Sequence, residues 1–375
     1  TNIYRGLAFF IITALVILGF IKSKMNSVGL SIVIGLLILV DMWSINVGYL
    51  NNKDYDADSR FWVEANEGEL PYKAFSGDET IYQLESGNLP KIAKEVAEKT
   101  SLAKEESEDG LSPEKIAAIK FNVLNKYTNF RVFSVSNPFN EARTSYFYKS
   151  LGGYHGAKLK RYQELIDTCL SRNNQKVLDM LNAKYIVQYQ NDPSTKEQNN
   201  TLIQPRNSAL GNVWFVNNVR LVENADEEIV ALKEENGFNP LDFAVVDKRY
   251  EKSLNKKDLS GRDVTATISM ESYAPNHLTY LSNSTTSQVA IFSEIFYDLG
   301  WKAYIDGKPV DHFRANYVLR GLSIPAGEHK IEFKFSLKSY SISSIISPLA
   351  FVIMLILFGV GVYKGMAKPT ASEDK

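Results

Sequence analysis

The sequence predicts a membrane protein in which transmembrane α-helices carry an extracytoplasmic α+β region and then a C-terminal β-sandwich. Three observations carry that prediction. Charge-free apolar stretches stand near both ends of the chain, a long polar middle mixes helical and strand patterns, and from about Gly261 short strands follow one another. At 375 residues there is room for more than one domain.

The apolar stretches come first in the argument. Gly6 to Ile21 and Met25 to Val40 each run 16 residues without a charge, and Ser341 to Tyr363 runs 23. A spanning helix needs about 20 apolar residues. The first two reach that length if Arg5, Lys22 and Lys24 extend their charged ends to the interface, and the second continues past Asp41 through MWSINVGYLNN. No small-residue cleavage site follows the first stretch, so it reads as a span and not as a signal peptide. Because Thr1 is not a methionine, the chain is expected to begin inside a longer protein. Lys22 and Lys24 sit between the first two spans, and Lys364 and Lys368 follow the third. Basic residues at span ends mark the cytoplasmic side, which places the intervening region outside. The expected organisation is two transmembrane helices over 1–45, an outer α+β domain over 46–258, an outer β-sandwich over 259–340, a last span over 341–363 and a cytoplasmic tail over 364–375.

Composition narrows the function. With 42 basic and 43 acidic residues the net charge is −1, so the chain has no field to attract nucleic acid. Cys169 is a lone cysteine in a helical pattern and reads as a small buried hydrophobe. His155, His277, His312 and His329 are scattered without metal-ligand spacing, so no metal is expected. No GxSxG, Walker loop or GxGxxG occurs, which disfavours a self-contained hydrolase and gives no cofactor.

In the outer region, KIAKEVAEKTSLAKEESEDG has a helical apolar stripe and a solvated opposite face. Ser112-Pro113 predicts a helix start with Ser as N-cap, turning Ile116, Ile119 and Phe121 inward. FRVFSV reads as a strand ended by Asn137-Pro138, AKLKRYQELID as a helix from Ala157, and Tyr185 to Tyr189 as a strand. The stretch 191–200 reads as an exposed loop and VWFVNNVRLVE as a strand pair or hairpin around Asn217-Asn218. An acidic helix over 226–236 is stopped by Gly237. After Gly261, strand-like runs lie about 8–12 residues apart with turns such as IDGKPV, the pattern of a sandwich.

Three features suggest chemistry. Asp41 lies at the outer end of the second span beside Trp43, where an acid is costly and often functional, or simply marks where the helix leaves lipid. GGYHGAKLKRYQEL places Tyr154, His155, Lys158, Lys160 and Arg161 after three glycines. That arrangement suits an anion such as a phosphate, or a basic helix face over lipid headgroups. Phe292, Phe296, Trp301, Tyr304, Phe313 and Tyr317 suit either a sugar-stacking platform or, as the favoured reading, sandwich core. Arg314, Asn316 and Arg320 are awkward in a core and are candidate ligand contacts.

SEIFYDLGWKAYIDGKPVDHFRANYVLRGLSIPAGEHKIEFKF, followed by the last apolar stretch, resembles the C-terminal end of the bacterial YfhO-type membrane proteins. SYFYKSLGGYHGAKLKRYQELID and MLNAKYIV add to the likeness, which covers roughly residues 130–360. The resemblance implies a multi-pass protein of the bacterial cytoplasmic membrane with a glycosyltransferase-C-like architecture. It implies transfer of a sugar from a polyprenyl-phosphate carrier in the lipid to an envelope glycan or polymer outside. The catalytic acid of such enzymes is expected in an outer loop before Thr1, so no catalytic residue is assigned and this chain alone is not expected to turn over. The alternative is a non-catalytic envelope scaffold whose outer domain binds glycan or a partner protein.

Overall fold

A computed structural model describes residues 2–22, 24–49, 70–106, 110–153, 156–191, 198–254 and 263–367. Tyr154 and His155, the tip of the 191–200 loop, the polar opening of the outer region, the 258/259 boundary and the end of the tail lie outside the described residues. The chain divides into two units, one of Thr1–Glu69 with Lys338–Lys375, the other of Leu70–Leu337.

In the first unit the apolar runs form α1 (Asn2–Ile21), α2 (Ser27–Tyr49) and α10 (Lys338–Ala367). All three contain stretches long and apolar enough to cross a membrane. At 1.5 Å per residue they measure roughly 30, 35 and 45 Å, against a hydrocarbon core of about 30 Å. Pro348 lies inside α10, which neighbouring groups in a membrane can tolerate. α1 and α2 run antiparallel, because Arg5 near the start of one meets residues late in the other: its Nε lies 3.5 Å from Asp41 Oδ1 and its Nη1 donates to Ser44 Oγ at 3.2 Å. Ser27, Val28, Ser31 and Ile32 share a groove with Phe358, Gly361 and Val362, so the start of α2 and the end of α10 lie together.

The second unit begins with α3 (Ser76–Asn88), α4 (Pro90–Glu105) and α5 (Pro113–Tyr127). Ser112 Oγ accepts from the Lys115 N–H with Pro113 in the first turn, which is the capping the sequence predicts. These helices cover one face of a mixed sheet in the order β2-β1-β3-β4. Its strands are β1 (Arg131–Ser134), β2 (Lys149–Ser150), β3 (Ala183–Asn191) and β4 (Gln198–Pro205). β1 is parallel to β2 and β3, while β4 is antiparallel to β3. The short helices α6 (Arg143–Phe147), α7 (Lys160–Thr168) and α8 (Gln175–Met180) connect them. α7 starts three residues later than Ala157, after an extended Leu159.

The expected hairpin at Asn217-Asn218 does not form. β5 (Val213–Phe215) pairs antiparallel with β10 (Gln288–Ile295), whereas β6 (Asn218–Val222) runs parallel to β7 (Phe243–Asp247) across α9 (Ala225–Ala231). Neither Asn217 nor Asn218 takes the positive φ that a two-residue hairpin needs. Trp214 instead turns into one core and donates its Nε1–H to Pro240 O at 2.8 Å, while Phe215 enters another.

The remaining strands are β8 (Thr267–Ala274), β9 (His277–Ser284), β11 (Trp301–Ile305), β12 (Lys308–Val310), β13 (Phe313–Ala315), β14 (Leu319–Ile324) and β15 (Gly327–Phe335). They form two antiparallel sheets, β13-β14-β10-β5 and β12-β11-β15-β9-β8. Phe292 and Leu322 of the first meet Tyr280 and Phe333 of the second in one apolar core, with Phe292 to Phe333 ring centroids 4.9 Å apart. Asp306 (φ 50°) and Gly307 (φ 76°) make the tight β11–β12 turn. The larger core crosses from one texture to the other: Phe133, Leu165 and Met180 pack in the same cluster as Val289, Ile291 and Phe313. Arg131 ties the same regions together, donating Nη1–H to Ser293 Oγ at 2.8 Å and Nη2–H to Ser293 O at 2.7 Å.

Candidate functional site

The site is built where three segments distant in sequence meet at one carboxylate. Glu228 of α9 is fully buried. It accepts from Arg161 Nη1 at 3.3 Å, from Arg314 Nη2 at 3.2 Å and from the Tyr317 backbone N–H at 3.0 Å. Burial raises the Glu228 pKa, with Arg314, the Tyr317 N–H and Arg161 pulling the other way. The end of β7 contributes Asp247, which pairs with Arg249 Nη2 at 2.9 Å and lies 3.8 Å from Arg314 Nη2. Burial raises the Asp247 pKa, but hydrogen bonds and charge from Arg249 outweigh it and the net shift is downward.

The β13–β14 turn places Arg314 by means of an unusual backbone. Asn316 (φ 48°) and Tyr317 (φ 71°) are both left-handed, and for a bulky Tyr this conformation is costly. The surroundings hold it. Asn316 exchanges two bonds with Val245, backbone N–H to backbone O and backbone N–H to side-chain Oδ1, each 2.8 Å. The Tyr317 hydroxyl donates to Glu164 Oε2 on α7 at 2.5 Å.

Arg161, Arg249, Arg314, Tyr250, Phe296 and Tyr317 line a cleft of about 290 Å³. Three guanidinium groups gather there; Glu228 and Asp247 pair with them, Asp298 lines the same cleft, and Glu164 lies 3.7 Å from Lys160. Arg161 also lies over the Tyr317 ring at 4.5 Å. Arg314 is 7 % exposed, and its Nε has no hydrogen-bond partner. The cleft therefore offers clustered guanidinium groups and aromatic walls. Such a site receives an oxyanion attached to an apolar or ring-shaped group.

A second hollow, of about 610 Å³, adjoins it and shares Tyr250, Phe296 and Asp298. Its further walls include Trp301, Asp311 and His312. His312 is tilted against Phe296, with centroids 5.2 Å apart, and its Nε2 has no partner. Burial, with the charge of Arg320, pushes its pKa down to about 4, so the imidazole is neutral at ordinary pH.

Residues 247–347 match the family described as bacterial membrane protein YfhO. Over that segment the chain is similar to the YfhO-type membrane proteins. The YfhO-type segment contains Arg249, Tyr250, Phe296, Trp301, His312, Arg314 and Tyr317, while Arg161 and Glu228 come from outside it. No curated protein and no solved structure matches the chain.

The sequence-derived candidates fall in different places. Arg161 and Arg314 meet on Glu228, and Lys160 lines the same cleft. Lys158 immediately precedes that lining, which begins at Leu159, and is half-buried. Gly152 is required by packing, because a Cβ there would stand 1.6 Å from Pro138 O, and Gly153 has φ 102°. Asn316 is buried and fastens the turn. Arg320 is 3 % exposed and donates Nε–H to Ile295 O at 3.1 Å; its guanidinium lies 4.0 Å from the Trp301 ring centroid. Burial lowers the Arg320 pKa to about 10. Asp41 belongs to the helical unit and pairs with Arg5. Of the six aromatics, Phe292, Phe313 and Tyr317 are buried, whereas Phe296 and Trp301 line the second hollow. Sequence reasoning missed Glu228, Asp247 and Arg249. Nothing in the run ADEEIVALKEEN separates Glu228 from its exposed acidic neighbours.

Proposed function

We propose that this chain is the substrate-binding portion of a polytopic, glycosyltransferase-like protein of the bacterial cytoplasmic membrane. It handles a sugar carried on polyprenyl phosphate, destined for an envelope glycan or polymer on the outer side. One observation carries the reading: Arg161, Arg249 and Arg314 gather round one cleft with the aromatic side chains of Tyr250, Phe296 and Tyr317. In the transfer an acceptor hydroxyl attacks the anomeric carbon, a carboxylate base takes its proton, and polyprenyl phosphate leaves. The arginines hold the departing phosphate and stabilise its charge. No residue is assigned as the base.

The same reading covers the architecture. The three apolar helices span the membrane, and the start of α2 near the end of α10 supports placing Lys22, Lys24 and Lys364 on one, cytoplasmic, side. The two antiparallel sheets sharing a core are read as a β-sandwich, with 46–258 and 259–340 as two textures of the outer region. A binding role without turnover, the scaffold alternative, is favoured by one feature: Glu228 and Asp247 are both engaged by arginines and neither is free to act as a base.

The test is binding to the full-length protein in lipid nanodiscs. Farnesyl phosphate should bind at least about tenfold tighter than farnesol, a difference of about 1.4 kcal/mol. The pair Arg161→Ala and Arg249→Ala should remove the difference and, in the enzyme reading, sugar transfer as well. Equal binding of phosphate and alcohol overturns the proposal. Loss of binding with transfer intact would be equally fatal to the assigned role. Orientation is checked with a Lys94→Cys probe, since Lys94 is exposed and the native Cys169 is buried. An impermeant maleimide should label it in intact cells.

A further inference from the structure

A third hollow, of about 670 Å³, shares no lining residue with the two above. Its place follows from the strand order. β2, β1 and β3 are parallel neighbours, with β1 between the two strands that follow it in the chain. The connection from β1 to β2 crosses one face of the sheet, where Phe147 of α6 packs in a cluster with Val132. The connection from β2 to β3 crosses the other, where Leu165 of α7 and Leu178 of α8 pack with Phe133. The strand order therefore reverses at β1, and open parallel sheets hold ligands beyond the carboxyl ends of their strands at such a point. The hollow lies there. Ser136 and Asn137 follow the end of β1, and Tyr189 stands near the end of β3. The Tyr189 N–H donates to Ser136 Oγ at 2.9 Å and fastens the two strand ends together.

The walls are aromatic. Tyr72, Phe75 and Tyr189 line the hollow, and the Arg143 guanidinium lies 3.7 Å from the Phe75 ring centroid and 4.8 Å from that of Tyr189. The Tyr189 hydroxyl shares a hydrogen bond of 2.6 Å with Thr144 Oγ1, so its ring is held in place. Charge cancels: Arg143 is paired with Asp78, and the remaining charged lining residues, Lys73 and Glu141, are of opposite sign. At the rim, the exposed Asn137 amide carries both donors and an acceptor. Flat walls without net charge, beside an amide, favour a flat neutral ring over an anion. We propose that this hollow binds an uncharged fused heteroaromatic ring with carbonyl and N–H groups on its edge, of the isoalloxazine class. The ring stacks on Tyr72 and turns its polar edge to Asn137. The site stands apart from the phosphate reading of the arginine cleft.

The experiment titrates lumiflavin, an uncharged isoalloxazine, onto the full-length protein in nanodiscs, with empty nanodiscs as the blank. Its fluorescence should be quenched saturably, with a Kd of about 100 µM or tighter. Tyr72→Leu should weaken binding about fivefold or more. Asn137→Ala, at an exposed position, should weaken it about threefold or more. Phenazine has the same fused shape without carbonyl or N–H groups and should bind at least about fivefold more weakly. Inorganic phosphate should not displace lumiflavin. No saturable quenching up to about 1 mM, or binding that survives both substitutions, overturns the site. Equal binding of phenazine overturns the ligand class. Displacement by phosphate would put the ring in the arginine cleft and is equally fatal.

Discussion

Two of the buried arginine–carboxylate centres in the second unit are built to opposite ends. In the helical part, Arg143 of α6 pairs with Asp78 of α3 and is 7 % exposed. Phe75, Phe147 and Tyr189 surround its guanidinium, the nearest ring centroid at 3.7 Å. Asp78 is saturated by Arg143, the Tyr148 hydroxyl at 3.0 Å and the Phe75 N–H at 2.7 Å. One cation meets one anion. Around Glu228 and Asp247, by contrast, three arginines share two carboxylates, and Arg249 is 57 % exposed on its side chain. The first centre holds helices to the sheet. The second gathers its guanidinium groups beside a cleft.

The largest effect should separate the two. Asp78→Ala strands Arg143 among aromatic rings and should cost about 3–5 kcal/mol in the unfolding free energy. Inorganic phosphate should not restore it. Glu228→Ala should be destabilising by a similar or somewhat smaller amount, but there phosphate can take the lost carboxylate's place. Thermal unfolding with and without phosphate should therefore show recovery for Glu228→Ala alone, following the usual dependence on ligand over Kd. Equal responses of the two variants would erase the distinction.

A smaller effect concerns acid. His312 has its pKa depressed from 6.5 to about 4 by burial and by Arg320, with Asp311 and Asp298 acting in the opposite sense. A depressed group contributes stability that is complete above its unfolded value and fades as pH falls through its folded value. The fold should thus lose stability between about pH 6.5 and pH 4, where the unfolded imidazole takes up a proton that the folded one does not. His312→Gln should flatten that part of the profile, measured by denaturant midpoints. The smallest effect is Tyr317→Phe, which removes the hydroxyl bond to Glu164 and should cost about 1 kcal/mol. If it costs nothing, the left-handed turn is held by Asn316 and the Glu228 carboxylate without help from α7.

Much of the frame is legible because it depends on local chemistry. The apolar runs around Ile12, Ile34 and Phe351 declare themselves by composition. Ser112-Pro113 caps its helix, whereas the acidic helix stops at Ala231, short of the expected 236, and Gly237 (φ 69°) closes only a following 3-10 turn, Glu234–Asn236. Asp306-Gly307 makes its turn for the same reason. What stayed hidden depends on partners far away in the chain. Asn217-Asn218 looks like a hairpin turn, but the choice of different sheets by β5 and β6 is made by β10 and β7. Arg161 and Arg314 stood out by their context, yet only Glu228, 67 and 86 residues away respectively, gives them a shared purpose. Arg320 was noticed for the same polarity and serves instead to cap Trp301 and Ile295.

The left-handed turn at Asn316 and Tyr317 also bears on how this protein comes to be made. Its bonds reach back 71 residues to Val245, 89 to Glu228 and 153 to Glu164. Contacts that close loops this long form late, because their chain entropy is lost before they return anything. A nascent chain emerging from synthesis therefore carries the early arginine, Arg161, for some 150 residues before the turn that completes its surroundings exists. Maturation of the binding cleft is tied to the last strands preceding α10, and a ligand that fits it would report completed folding.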